Sequence, residues 1–175
     1  MRCGRPYVIR TAWGLNRSLI DNLLTIGSVG PDHKHVELFH FKTTSWFSIG
    51  VYPYADAYFM RAPIIYQENA FYVLGGSNAN SASNTIGRLD AINFSWSLAG
   101  HLNAARRGHN AILIDDVNVI VVGGYETTQK SFKNEKCTIS QSGTMTCMDQ
   151  SPTLSYFVDW PELFLVSEQF CQGHQ

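Results

Sequence analysis

Six histidines and four cysteines are the residues best equipped to do chemistry in this chain of 175 residues. His33, His35 and His40 stand close together, as metal ligands do. A tetrahedral zinc centre needs four N, S or O donors, and no cysteine or carboxylate pattern near these histidines completes the set. Beside Pro31 and Asp32, His33 and His35 read as part of an exposed turn. Neither His-Glu-x-x-His nor Gly-x-Ser-x-Gly occurs. The chain is therefore expected to carry no catalytic residues, to bind no metal or cofactor, and not to be an enzyme.

The cysteines are Cys3, Cys137, Cys147 and Cys171. Cys147 follows Cys137 by ten positions, and Ser140-Gln141-Ser142-Gly143-Thr144 between them reads as a hairpin turn. Cysteines on opposed hairpin strands can reach disulfide distance. No Cys-x-x-Cys spacing points to zinc, so a Cys137–Cys147 disulfide is expected in preference to free thiols. A disulfide implies an oxidising compartment. Two sequons, Asn16-Arg17-Ser18 and Asn93-Phe94-Ser95, point the same way and make Asn16 and Asn93 candidate glycosylation sites. A secretory leader needs an uninterrupted apolar stretch. Between Met1 and Gly14, Arg10 breaks the only one. Extracellular placement thus carries the further expectation that the true start lies upstream of Met1; the alternative is a cytoplasmic protein.

The elements that must position these residues are strands. Hydrophobic residues make up 45% of the chain, enough for a core, while charged residues are only 15%, against a usual share of about 25%. The formal charge is −1, which argues against nucleic acid or an acidic membrane surface as partner. No run approaches the roughly 18 apolar residues of a membrane span. Low charge with 13% aromatic residues suits a β-rich protein whose outer faces are Ser, Thr, Asn and Gln.

Three apolar runs end in glycine: Leu23–Gly27, Phe71–Gly76 and Val119–Gly124. Their marker glycines, Gly27, Gly75 and Gly123, are spaced by 48 and 48 residues, and Ile64-Ile65-Tyr66 precedes Ile112-Leu113-Ile114 by the same interval. Trp46 follows Gly27 by 19 residues, and Trp96 follows Gly75 by 21. Equal spacing of a turn signal, a strand and a tryptophan marks an internal repeat. Each unit reads as four strands. His109–Ile114 and Asn118–Val122 are the first two of the best copy; Arg88–Asn93 and Ser95–Leu98 are the last two of the copy before it. Four short antiparallel strands per unit match a propeller blade.

The run Gly87-Arg88-Leu89-Asp90-Ala91-Ile92-Asn93-Phe94-Ser95-Trp96, followed by Arg107-Gly108-His109 and Val121-Val122-Gly123-Gly124, resembles a kelch repeat. The family's double glycine, spaced aromatic and downstream tryptophan appear in order. Val36–Gly76 is a weaker copy with Trp46 and Gly75-Gly76 intact. In the first copy Ser28 replaces the second glycine, and Phe132–Val166 reads as a divergent last unit. The resemblance implies an all-β fold: a partial kelch-type β-propeller of about three four-stranded antiparallel blades in an open arc. Residues 21–170 hold the blades, residues 1–20 a remnant of a preceding one, and 171–175 a tail. Gly27, Gly75, Gly76, Gly123, Gly124, Trp46, Trp96, Arg107 and His109 take structural repeat roles. The glycines end inner strands, the tryptophans pack between blades, and Arg107 and His109 are buried hydrogen-bonding partners or face a binding surface.

Roughly four to eight blades close a propeller, so further blades or self-association are expected to cover the open side. Copper-radical oxidases share such a propeller and use a tyrosine–cysteine cofactor. Tyr52, Tyr54, Tyr58 and Tyr66 are present, but no cysteine lies in that region. A sialic-acid-epimerase-like site needs a complete ring of loops. Cytosolic kelch adaptors that recruit substrates carry helical BTB and BACK regions, which the sequence lacks. The leading expectation is a non-enzymatic binding module of a secreted or extracellular protein. Its polar loops, Ser77–Thr85 and Tyr125–Lys133, project from one face toward a protein or glycan ligand.

Overall fold

A computed structural model describes residues 22–26, 34–54, 62–78, 81–126, 129–151, 153–155, 161 and 163. Among these residues 66% are in strands and none is in a helix, so the all-β class is as expected. Met1, Cys3, Asn16, Gly27, Ser28, His33, Tyr58 and Cys171 lie outside the described residues, as do the segments 1–20 and 171–175.

Three strands, β1 (Asn22–Ile26), β2 (His35–His40) and β3 (Ser45–Val51), form one antiparallel sheet. Next comes a meander of β4 (Ile64–Gln67), β5 (Ala70–Asn78), β6 (Ser81–Asp90) and β7 (Trp96–Arg106). A second meander runs through β8 (Asn110–Leu113), β9 (Asn118–Val122), β12 (Asn134–Ile139) and β13 (Met145–Gln150). A two-stranded hairpin, β10 (Tyr125–Glu126) and β11 (Gln129–Lys130), is inserted between β9 and β12. The meanders are fused where β13 pairs in parallel with β7, Met145 with Gly100 and Thr146 with His101. The resulting eight-stranded mixed sheet curls until its two ends, β4 and β8, approach each other, nearly closing like a barrel. The Gln67 side-chain amide donates to the Asp116 carbonyl across that gap.

Local chemistry explains the turns. Glu68 and Asn69 have φ of 45° and 58°, the pair of left-handed residues a two-residue type I′ hairpin requires, and they join Gln67 to its partner Ala70. Between β12 and β13, Ser140 N donates to Thr144 O at 2.8 Å, Gly143 N donates to Ser140 O at 2.9 Å, and Gly143 has φ 80°. That is a three-residue loop closed by a left-handed residue, where glycine fits without strain. Asp115 caps the β8–β9 turn by accepting from Val117 N at 2.9 Å and Asn118 N at 2.8 Å. These two bonds favour the charged carboxylate, so Asp115 titrates below the usual range.

Apolar alternation supplies two cores. One lies between the meanders: Ile65, Tyr72, Leu74 and Ile86 of the first meet Ala111, Val119, Val121 and Cys137 of the second. The other lies between β1–β3 and the opposite face of the first meander. Leu24, Val36 and Tyr52 meet Ile64, Val73 and Leu89, with Ile26, Leu38 and Trp96 packed against them.

Several expectations need correction. The third and fourth strands of the middle unit are longer than Arg88–Asn93 and Ser95–Leu98: β6 begins at Ser81 and β7 runs to Arg106. Ser77–Thr85 is accordingly not a projecting loop but the arms of the β5–β6 hairpin, with Gly76 opposite Ser83, Ser77 opposite Ala82 and Asn78 opposite Ser81. None of the described residues of these arms belongs to either apolar core, and they carry no apolar alternation to announce a strand. Gly75-Gly76 falls at a bulge inside β5 rather than at a strand end. Residues 134–150 of the stretch read as a divergent last unit instead complete the second meander, β12 pairing with β9. The described strands are two fused four-stranded meanders and one three-stranded sheet, where about three separate blades in an open arc were expected.

Candidate functional site: the double-glycine corner

Both double glycines lead into hairpins, and the pairing brings those hairpins together. Ser83 of β6 pairs with Arg106 at the end of β7, and the next residue, Arg107, forms an isolated bridge with Tyr125 of β10. The bridge is made by Arg107 N to Tyr125 O at 2.9 Å and Tyr125 N to Arg107 O at 2.8 Å. The β5–β6 and β10–β11 hairpins thus lie side by side at one end of the sheet. Their described polar side chains include exposed Ser81, Gln129 and Lys130 and half-buried Asn84, Thr85 and Glu126.

Under the hairpins lies a buried polar knot. Arg106 and Glu135 are both fully buried, with Arg106 Nη2 at 2.7 Å from Glu135 Oε1. Arg106 Nη1 donates to the carbonyls of Gly123 at 3.1 Å and Lys133 at 2.9 Å. Glu135 accepts from the backbone of Asn103 at 2.6 Å and of Ala104 at 3.1 Å. A buried ion pair is sustainable only when further hydrogen bonds replace the lost water; these four do so, with Arg106 Nε alone of the guanidinium nitrogens left without a partner. Ser131 extends the arrangement to the hairpin: its N donates to Gly124 O at 2.8 Å and its hydroxyl to Glu126 Oε1 at 2.9 Å.

His109 fills the corner between the two glycine pairs. A Cβ on Gly75 would lie 3.0 Å from His109 Cε1 and 2.9 Å from the Arg106 and Ser83 carbonyl oxygens. A Cβ on Gly124 would lie 2.6 Å from Arg107 O and 2.8 Å from His109 Cβ. Both glycines also hold positive φ, 60° and 83°, so only glycine meets the conformation and the close approach together. The His109 ring is buried and neither nitrogen has a hydrogen-bond partner of good geometry. Burial and then the Arg106 charge push its pKa down to about 3, the Leu74 carbonyl partly opposing them. At neutral pH His109 is a neutral packing group, so it stands ready neither to bind an anion nor to act as an acid.

The remaining predicted residues fall as follows. Trp96 is at a sheet interface, its ring 5.0 Å from that of Tyr52. Trp46 is not buried between units as expected: it is 49% exposed and rests on Phe39 at 5.0 Å, on the face of β2–β3 turned away from the core. Arg107 is half-buried and its backbone forms the bridge, while the buried arginine is its neighbour Arg106. Arg106 and Glu135 were missed. The available signal was Glu135 in the apolar half of the alternation Glu135-Cys137-Ile139, where a carboxylate demands a buried partner. Asn93 lies exposed in the β6–β7 turn, its Oδ1 accepting from Ser95 N at 2.9 Å. His40 Nδ1 lies 2.9 Å from the Thr43 hydroxyl.

Cys137 and Cys147 face each other across β12 and β13 and form the expected disulfide. Their sulfurs and a Glu135 oxygen lie within 4.8 Å of one another. The disulfide leaves no thiolate to ligate a metal and Glu135 is engaged by Arg106, so this group does not fit a metal centre. Closing a loop of this size stabilises by about 3 kcal/mol in the chain-entropy model. Reduction, or Cys147→Ala, is expected to lower the unfolding free energy by about that amount. Urea melts with and without reductant measure it, and coincident curves would refute it.

No protein-family model matches the chain, and comparison with curated proteins finds no matching relative.

Proposed function

We propose that this chain is a kelch-type propeller segment serving as a non-enzymatic binding module of an extracellular protein, with the paired hairpins as its recognition surface. The observation that carries the reading is the strand register. β1, β5 and β9 begin at Asn22, Ala70 and Asn118, reproducing the 48-residue repeat, and each is the strand from which its sheet continues into the same antiparallel order. The double-glycine corners support it further, because the equivalent turns of successive units converge on one end. The parallel fusion of the meanders spans only two register pairs, compatible with neighbouring blades touching at their outer strands.

Binding is favoured over catalysis by the character of the corner. Its buried charges pair with each other, its histidine is neutral, and the exposed side chains above are the hydroxyl of Ser81, the amide of Gln129 and the ammonium of Lys130. Such groups donate and accept hydrogen bonds, which suits a glycan or a polar protein surface. The disulfide supports an oxidising compartment, and the exposed Asn93 sequon is available for glycosylation there.

The test is a binding screen of the purified chain against arrayed glycans and extracellular proteins. It is repeated with Gln129 and Lys130 changed to serine and with Ser81 and Asn84 changed to alanine. Loss of binding with an unchanged melting temperature is the expected result. Binding indifferent to both hairpins would refute the assignment.

A further inference from the structure

The His109 ring is wedged where the two hairpins meet. On one side, a Cβ on Gly75 of β5 would lie 3.0 Å from His109 Cε1. On the other, a Cβ on Gly124, the residue before β10, would lie 2.8 Å from His109 Cβ and from His109 N. Both ring nitrogens are buried without a hydrogen-bond partner of good geometry. A neutral imidazole has one N–H to satisfy, whereas an imidazolium has two and a charge. Among the described residues, the elements that meet at the ring bring these titratable or charged groups: Arg106 from β7, Arg107 beside it, Tyr125 and Glu126 from β10, and Glu135 from β12 behind Arg106. The glycine pairs bring none. Glu135 is held by Arg106 and by two backbone N–H groups, and Glu126 accepts from the Ser131 hydroxyl. Both carboxylates are thus engaged elsewhere, and the positive Arg106 opposes a second positive charge.

The contact beside the ring is slight. It is the isolated Arg107–Tyr125 bridge, two backbone hydrogen bonds of 2.9 and 2.8 Å outside any ladder. Neither apolar core includes Arg107, His109 or Tyr125. Contacts that bury little apolar surface open at a small part of the global unfolding free energy. The β10–β11 hairpin is tied to itself, because Ser131 bonds both Gly124 O and Glu126 Oε1. Gly123 and Gly124, with φ of 72° and 83°, supply a joint at its base. Behind it the Arg106–Glu135 pair holds β7 to β12.

We propose that His109 is a proton-operated latch: on taking up a proton it leaves the corner, and the β10–β11 hairpin parts from Arg107 while both meanders stay folded. Burial and Arg106 hold the ring's pKa at about 3 in the closed corner, and an imidazole in water titrates at about 6.5. The closed form is fully favoured above the higher value and loses ground as the pH falls, by up to about tenfold per pH unit. Acid then divides the paired hairpins, so a ligand held at neutral pH is released in acid; this last consequence rests on the binding reading above.

The experiment is amide hydrogen exchange of the purified full chain, read by NMR under conditions where reclosing outpaces exchange and corrected for the intrinsic rate at each pH. It needs no ligand, so its failure is distinct from failure of the binding reading. The Arg107 and Tyr125 amides are expected to be less protected than the hydrogen-bonded amides of β9 and β12 at every pH. Their protection should fall about 50- to 100-fold from about pH 7 to about pH 4.5. In His109→Gln, which gains no proton in that range, the bridge protection should not change with pH; if this variant does not fold, the wild-type comparison decides alone. Bridge amides as well protected as those of β9 and β12 would mean that the corner opens only with the whole fold. Protection independent of pH in the wild type, or a pH dependence retained by His109→Gln, would mean that His109 does not drive the opening. Each of these results overturns the proposal.

Discussion

Glu135→Ala is expected to lower the unfolding free energy by about 3–5 kcal/mol, the cost of leaving one member of a buried ion pair behind. The cause is specific. Arg106 is left fully buried without its carboxylate partner, and Asn103 N and Ala104 N lose their acceptor together. Domains of ordinary stability have about 5–15 kcal/mol to lose, so the variant should unfold at much lower urea or not accumulate in cells. Arg106→Leu should be similarly damaging, since it strands the Glu135 carboxylate and frees the Gly123 and Lys133 carbonyls. The double variant Arg106→Leu with Glu135→Ala is expected to be more stable than either single one, because no charge is then buried. It should remain below the wild type, because the backbone groups stay unpaired. Equilibrium urea unfolding of the four proteins measures the coupling. A loss of under about 1 kcal/mol for Glu135→Ala would mean the pair is not the anchor of the corner.

The second large effect is acid lability centred on His109. Burial and the neighbouring Arg106 lower its folded pKa to about 3, from 6.5 in the ordinary state. The unfolded chain therefore binds a proton that the folded chain refuses between those values. Stability is complete above the unfolded pKa and falls as the pH drops, by about 1.4 kcal/mol per unit until the folded pKa is reached. Between neutrality and about pH 4.5 the expected loss from this residue alone is about 3 kcal/mol. His109→Leu removes the proton site and should flatten the profile over that range, even if its stability at neutral pH is reduced by altered packing. The slope separates the two effects. A wild-type profile flat between about pH 6.5 and 4.5 would show that His109 finds a way to be protonated in the folded state.

The repeat was legible because strands β1, β5 and β9 begin 48 residues apart and present corresponding residues on corresponding sides. Leu24, Tyr72 and Ile120 hold one side of their strands, and Thr25, Val73 and Val121 the other. A 48-residue echo in the chain is the trace of that equivalence. The disulfide was legible for a local reason: a short turn with Gly143 fixes the register that sets Cys137 opposite Cys147. The glycine pairs were legible because positive φ excludes most other residues.

What the sequence did not disclose depends on partners distant along the chain. Arg106 and Arg107 are adjacent and chemically identical, and only the strand pairing decides which of them enters the core to meet Glu135, 29 residues away. Trp46 and Trp96 share a motif, yet Trp96 is covered by Tyr52 of the first sheet, whereas no sheet among the described residues covers Trp46, which is 49% exposed. The hairpin arms within Ser77 to Thr85 read as a loop because their residues are polar or small and join neither apolar core. Composition and spacing thus determined the β class, the repeat length and the hairpin disulfide. The burial of charge and the meeting of the two glycine corners at His109 were decided by tertiary packing, since both arise from contacts that no local stretch of sequence contains.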